Sequence, residues 1–155
     1  MTVPDVSDAP PSELGAMLRN WAEGEPSQEA AVQLIIGHGV WLARPDFRRA
    51  CVSAVDNDNQ RPPAPMAAIS WERAARFLDG VPASRSEVAV LRLACSLAGV
   101  NTGSLRELTA GLDPANTARV LDALAHGEGW HERGIRHTVD GRQDGITGTG
   151  PAMRA

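Results

Sequence analysis

Residues 84–98 read Ser84-Arg85-Ser86-Glu87-Val88-Ala89-Val90-Leu91-Arg92-Leu93-Ala94-Cys95-Ser96-Leu97-Ala98, and this stretch decides the fold class. A serine followed three residues later by a glutamate is a reciprocal capping pair. Each side chain takes up a backbone N–H that the first helical turn leaves without a partner. From Val88 to Ala98 only Arg92 and Ser96 are polar, and they lie four apart, on one face. A helix apolar on most of its circumference belongs inside, so the segment predicts a buried central helix. Gly99 supplies its stop.

The same start chemistry recurs downstream. Ser104 with Glu107 forms a second capping pair ahead of Leu105, Leu108 and Leu112. Asp113-Pro114 then offers a cap and a first-turn proline for a helix whose apolar stripe reads Val120, Leu121 and Leu124. His126-Gly127 closes it. Beyond Trp130, the alternation of Ile135, His137 and Val139 before Asp140-Gly141 predicts a short ribbon, and the Gly/Thr/Asp-rich end from Arg142 predicts disorder.

Upstream, Ser70 caps a helix through Trp71, Ala74, Ala75 and Leu78 that Asp79-Gly80 ends. Residues 1–11 are rich in Pro, Asp and Ser and read as a flexible arm. Ser12 is a suitable cap for Leu14, Met17, Leu18 and Trp21, and a second helix is expected from Ser27. Ala31, Leu34, Ile35, His38, Trp41 and Leu42 share one face of it, with a break expected near His38 where Gly37 and Gly39 weaken the helix. Pro45 suits the first turn of a short helix carrying Phe47, Cys51, Val52 and Val55. The Asn/Asp/Pro content of 56–68 then marks a linker. The organisation expected is a flexible arm at 1–11, an N-terminal helical segment at 12–56 and a Pro-rich linker at 57–69. A C-terminal helical domain at 70–140 and a disordered tail at 141–155 complete it.

Composition bounds the function. The 155 residues are 43% apolar, enough to bury a core, and carry a net charge of −4. That charge argues against a general polyanion binder. Residues 1–60 hold nine acids against four arginines, whereas 61–112 hold six arginines against four acids, so an anionic partner is best received in the middle. Lysine is absent, with arginine in its place as GC-rich coding produces. A phosphate-loop lysine, a pyridoxal Schiff base and a Ser–Lys nucleophile pair are therefore excluded. Cys51 and Cys95 sit in apolar helical contexts and read as reduced, buried residues. The acidic N-terminus has no apolar leader, and no run is long enough to span a bilayer, so the expected location is cytoplasmic, with no membrane partner.

Catalytic and metal motifs are incomplete. His131-Glu132 begins like a zinc-protease signature, but position 135, where the second histidine belongs, is Ile. Gly37-His38-Gly39 lies within a helical pattern rather than after a strand, and Gly148-Thr149-Gly150 precedes no helix. His38 reads as a core histidine. No catalytic residue, metal ligand, cofactor or small-molecule substrate is assigned.

Two resemblances remain. Leu105-Arg-Glu-Leu108, Asn116-Thr-Ala-Arg119-Val-Leu-Asp-Ala-Leu124 and Gly129-Trp130, in that order of helices, resemble a winged helix-turn-helix domain over residues 85–140. The resemblance implies a reading helix exposing Asn116 for adenine and Arg119 for guanine. It further implies Arg106 and Arg85 on phosphates and Arg133 and Arg136 on the wing. Against it, 113–140 carries three arginines to five acids, poor for neutralising phosphates. Separately, Ala31-Val-Gln-Leu-Ile-Ile-Gly-His-Gly-Val-Trp-Leu42, residues 84–98 and Gly111-Leu-Asp-Pro-Ala-Asn116 look like a family of uncharacterised actinobacterial helical proteins, which implies kinship and no mechanism.

The expected fold is therefore mainly α: a small helical bundle with a C-terminal tri-helical, winged-helix-like unit and disordered termini. The leading functional expectation is a non-enzymatic helical module for protein interaction or self-association. A DNA-binding regulator and an accessory subunit of an enzyme are the alternatives. Arg106, Asn116, Arg119, Arg133 and Arg136 are the expected contact residues.

Overall fold

A computed structural model describes residues 5–57, 64–130 and 132–134. Among these, eight α-helices and one two-stranded sheet make the protein mainly α. The helices are α1 (Pro11–Ala22), α2 (Pro26–His38), α3 (Val40–Ala43), α4 (Pro45–Cys51), α5 (Trp71–Phe77), α6 (Arg85–Leu97), α7 (Leu105–Thr109) and α8 (Pro114–Gly127). Strands β1 (Val52–Val55) and β2 (Met66–Ile69) lie between α4 and α5.

The C-terminal helices start where side-chain chemistry starts them. Ser84 and Glu87 exchange both capping bonds at α6, and Ser104 and Glu107 do so at α7. Asp113 accepts from the Asn116 amide at 2.8 Å to cap α8. Helix α6 buries Ala89, Val90, Leu91, Leu93, Ala94 and Cys95 and leaves Arg92 and Ser96 outside. In the N-terminal half proline takes over the starting role: α1 and α2 begin at Pro11 and Pro26 rather than at Ser12 and Ser27, with no side-chain cap. Proline's fixed φ suits the first helical turn, where its missing N–H costs nothing. The break near His38 is at Gly39, whose φ of 76° separates α2 from α3.

Three local expectations are corrected. The helix from Pro45 ends at Cys51, and Val52–Val55 is a strand paired antiparallel to Met66–Ile69, with Val52 opposite Ile69 and Val55 opposite Met66. The ladder continues through the Ser70 N–H to the Cys51 carbonyl at 2.8 Å, so the last four residues read as linker are part of the sheet. Residues 5–10 of the expected arm are docked. Asp5 caps a 3-10 turn at Val6–Asp8, Val6 is buried, and Arg48 Nη1 donates to the Ala9 carbonyl at 2.7 Å. The expected ribbon at 135–140 and tail at 141–155 lie outside the described residues.

The proline-rich stretch does not divide two cores. Helix α2 packs on both α6 and α8, α1 lies on β2, and one continuous hydrophobic cluster runs from Val6 to Ala123. Polar ties cross the same divide. Trp41 Nε1 donates to the Glu87 carbonyl at 3.1 Å and Trp71 Nε1 to Gln28 Oε1 at 2.8 Å. Burial satisfied at the polar tip is what lets tryptophan sit inside.

Candidate functional site

Helix α8 carries two of the five expected contact residues, Asn116 and Arg119, and its orientation follows from small side chains. Its core face runs Asn116, Val120, Ala123 and Gly127, at i, i+4, i+7 and i+11. A methyl group built on Gly127 would sit 3.4 Å from the Ala30 Cβ, and Ala30 is itself fully buried. The glycine and alanines let α2 and α8 approach closely, and this fixes which side of α8 is inside. Leu121 and Leu124, read with Val120 as one stripe, are consequently outside at 39% and 40% exposure. Of Leu105, Leu108 and Leu112, Leu108 is buried while Leu105 is 68% exposed.

This orientation overturns the exposure expected of Asn116. It is the buried polar residue of the helix, and its amide is fully engaged. Nδ2 donates to Ser86 Oγ at 2.8 Å and to Asp113 Oδ2 at 2.9 Å, while Oδ1 accepts from Arg119 Nη1 at 3.0 Å. Reading adenine needs the same donor and acceptor that these bonds occupy. Arg119 is exposed but its guanidinium is tied back to Asn116. Arg106 on α7 and Arg133 in the turn after α8 are exposed, and Arg136 lies outside the described residues. The structure thus joins Asn116 and Arg119 into a structural knot with Ser86 and Asp113.

That knot has a pH signature. The Asp113 carboxyl is held below its ordinary range, first by the Asn116 backbone N–H and then by the Ser86 hydroxyl. A carboxylate favoured by folding contributes stability that is complete above the unfolded value, about 3.9 for aspartate, and is lost as the pH falls through the lower folded value. Asp113→Asn should therefore narrow its gap in thermal midpoint from the wild type as the pH drops below that value. A gap constant from neutral pH down to acid conditions would remove the role assigned to the charge. His38, at the end of α2, is half-buried, and its imidazole is pushed below the usual histidine value by burial first and by the Arg119 charge second.

A second feature is a cleft of about 460 Å³ between α1, α2 and the end of α8, floored by Val32 and edged by Arg19, Glu23, Glu29, Gln33 and His126. The Glu29 carboxylate at its edge is already engaged by the protein. Glu29 Oε1 accepts from the Gly24 N–H at 3.1 Å and Oε2 lies 2.8 Å from His126 Nε2. The pair bridges 97 residues of sequence and reads as a latch of α8 onto α2.

Other chemistry is limited. Cys51 and Cys95 are buried and not in disulfides; burial pushes their thiols up to about 11 and about 12, so they are poor nucleophiles at neutral pH. Among the described residues no group of three or more His, Cys, Asp or Glu is placed to hold a metal, and no helix is long and apolar enough to cross a membrane.

What α8 offers outward is an apolar face. Leu121 and Leu124 stand on it, and Trp130, three residues past the helix end, is also 39% exposed, with its amide donating to the Ala125 carbonyl at 2.9 Å. Sequence reasoning missed this face because three leucine-type residues at helical spacing look like core. The signal that could have found it is the run of small residues, Ala123 and Gly127, on the other side. The chain matches no family model, and neither a curated protein nor a solved structure was found similar to it.

Proposed function

We propose that this protein is a non-enzymatic helical interaction module that binds a protein partner through the outward face of α8. One observation carries the reading: Leu121 and Leu124 of α8 keep exposed surface on the side away from the Val120–Ala123 core face, beside the buried Ala125. Val120 and Ala123 face α2 and α6, whereas Leu121, Leu124 and Trp130 keep 39–40% of their surface in water. Scattered exposed apolar residues are ordinary, but a group of them on one helix is the usual mark of a docking face. Leucines one turn apart are also the spacing by which a helix is read in a groove. The alternative of a DNA regulator loses support from the burial of Asn116 and from the apolar character of the surface that would enter the groove.

The test compares the full chain with Leu121→Asp/Leu124→Asp, each immobilised and exposed to lysate. Both positions are solvent-facing, so the double variant should keep its thermal midpoint within a few degrees. A specific protein retained by the wild type and reduced at least tenfold by the double variant is the expected result. Equal retention by both, or none by either and no self-association, would overturn the reading.

A further inference from the structure

We propose that the end of α2 is a proton-operated joint. When His38 takes up a proton, the last turn of α2 leaves α6 and α8 and unwinds between Gly37 and Gly39. This joint is separate from the outward face of α8 and does not depend on the interaction reading above.

Helix α8 runs antiparallel to α2. Gly127 stands against Ala30, and His126 against Glu29, near one end of the pair. Eight residues on along α2 is His38, and eight residues back along α8 is Arg119. Both helices rise by about 1.5 Å per residue, which brings the imidazole level with the guanidinium. Arg119 is held there by its bond to Asn116 Oδ1 at 3.0 Å.

His38 Nδ1 is sealed from solvent and has no hydrogen-bond partner among the described residues. A neutral ring can carry its hydrogen on Nε2 and leave Nδ1 bare, whereas an imidazolium donates from both nitrogens. Its Nδ1–H would be buried without an acceptor, and an unpaired buried donor carries the full cost of its lost water. The Arg119 charge is a second obstacle. Other groups pull the opposite way. Glu87 on α6, Asp113 at the start of α8 and the carbonyl end of α2 itself all favour a cation. Burial first and Arg119 second outweigh them, so the imidazole lies below the usual histidine value. The closed joint therefore binds a proton less readily than the open one. Its stability is complete above about 6.5, the ordinary histidine value, and is lost as the pH falls from there through the lower value of the closed form.

The flanking glycines make release easy. Gly39 has already left helical backbone at a φ of 76°, and a methyl built on Gly37 would meet nothing within 4 Å. Glycine inside a helix favours the unwound chain. This turn thus opens more readily than the part of α2 that buries Ala30, Ala31, Val32, Leu34 and Ile35.

The experiment is amide hydrogen exchange of the full chain by NMR between about pH 7.5 and about pH 5, with the histidine rings titrated in the same samples. That window lies above the ordinary carboxylate values of about 3.9–4.3, so histidines dominate it. His38 should titrate below the ordinary histidine value. Exchange of the amides from Ile36 to Ala43, corrected for the intrinsic effect of pH, should rise about tenfold toward the acid end while α6 stays protected. His38→Gln, which cannot titrate, should flatten that rise, and His126→Gln should leave it in place. Arg119→Gln should move the His38 midpoint upward, and the exchange rise with it.

A His38 midpoint at or above the ordinary value overturns the inference. So does an exchange rise that is absent, spread evenly over all the helices, or retained in His38→Gln. Should His38→Gln not fold, the wild-type titration and the Arg119→Gln shift decide the matter.

Discussion

Truncating Trp41 to alanine should lower the unfolding free energy by about 3–5 kcal/mol, the range for deleting a large buried aromatic. Trp41 is fully buried although it stands in a helix of only four residues. Its ring lies 5.6 Å from that of Phe47 on α4 and 6.3 Å, edge-on, from that of Phe77 on α5. Phe47 and Phe77 meet each other at 5.6 Å, so the three rings form a closed triangle. The indole N–H adds a bond to α6 through the Glu87 carbonyl, and the Arg44 guanidinium covers the ring from outside at 5.4 Å. One side chain therefore fastens α3 to α4, α5 and α6. Because small domains are stable by only about 5–15 kcal/mol, the variant should lose a large part of its stability. Urea unfolding followed by far-UV circular dichroism measures it, with Trp130→Ala as the exposed control. A Trp41→Ala cost below that of the control would mean the aromatic triangle is not what holds these helices together.

Gly111→Ala should destabilise by about 1–3 kcal/mol, the usual cost of forcing extra atoms into a packed site. An added methyl would stand 2.9 Å from the Arg85 carbonyl oxygen and 3.3 Å from its carbon. Those atoms are backbone in the first turn of α6 and cannot swing aside as a side-chain tip would. Either α6 or the α7–α8 turn must shift, and the Ser86–Asp113–Asn116 knot lies across that boundary. Gly37→Ala is the opposite case. Gly37 is exposed within α2 with nothing near its added methyl, so alanine should stabilise by about 0.5–1 kcal/mol through helix propensity. Thermal unfolding of both variants separates crowding from propensity. Shifts of the same sign would contradict the close approach at Gly111.

These two glycines also show where sequence reasoning reaches and where it stops. The starts of α5, α6, α7 and α8 were legible because a cap and its amide are two or three residues apart. The hairpin was not. Val52–Val55 is only four residues long, its partner Met-Ala-Ala-Ile has weak strand character, and the pairing is made across a stretch that looks like pure linker. At α8 the sequence shows three apolar residues at helical spacing but not which side faces inward. That choice is made by Ala30, far upstream, closing on Gly127. The burial of Asn116 is equally non-local, since the hydroxyl that satisfies it belongs to Ser86, thirty residues earlier. A polar residue near a helix start is as suited to a buried knot as to a base, and only the partner distinguishes them.

The contact of α2 with both α6 and α8 has a consequence for how the chain is made. Synthesis releases α1 and α2 early, yet α6 and α8, which pack on α2 and bring Gly127 against Ala30, arrive only with residues 85–127. With elongation at about 5–20 residues per second, a bare apolar α2 waits on the order of several seconds for its partners. The hairpin and α1 are complete by residue 69 and can shelter part of that helix meanwhile. Helix α8, the last of the described helices, thus closes on a helix made about ninety residues earlier.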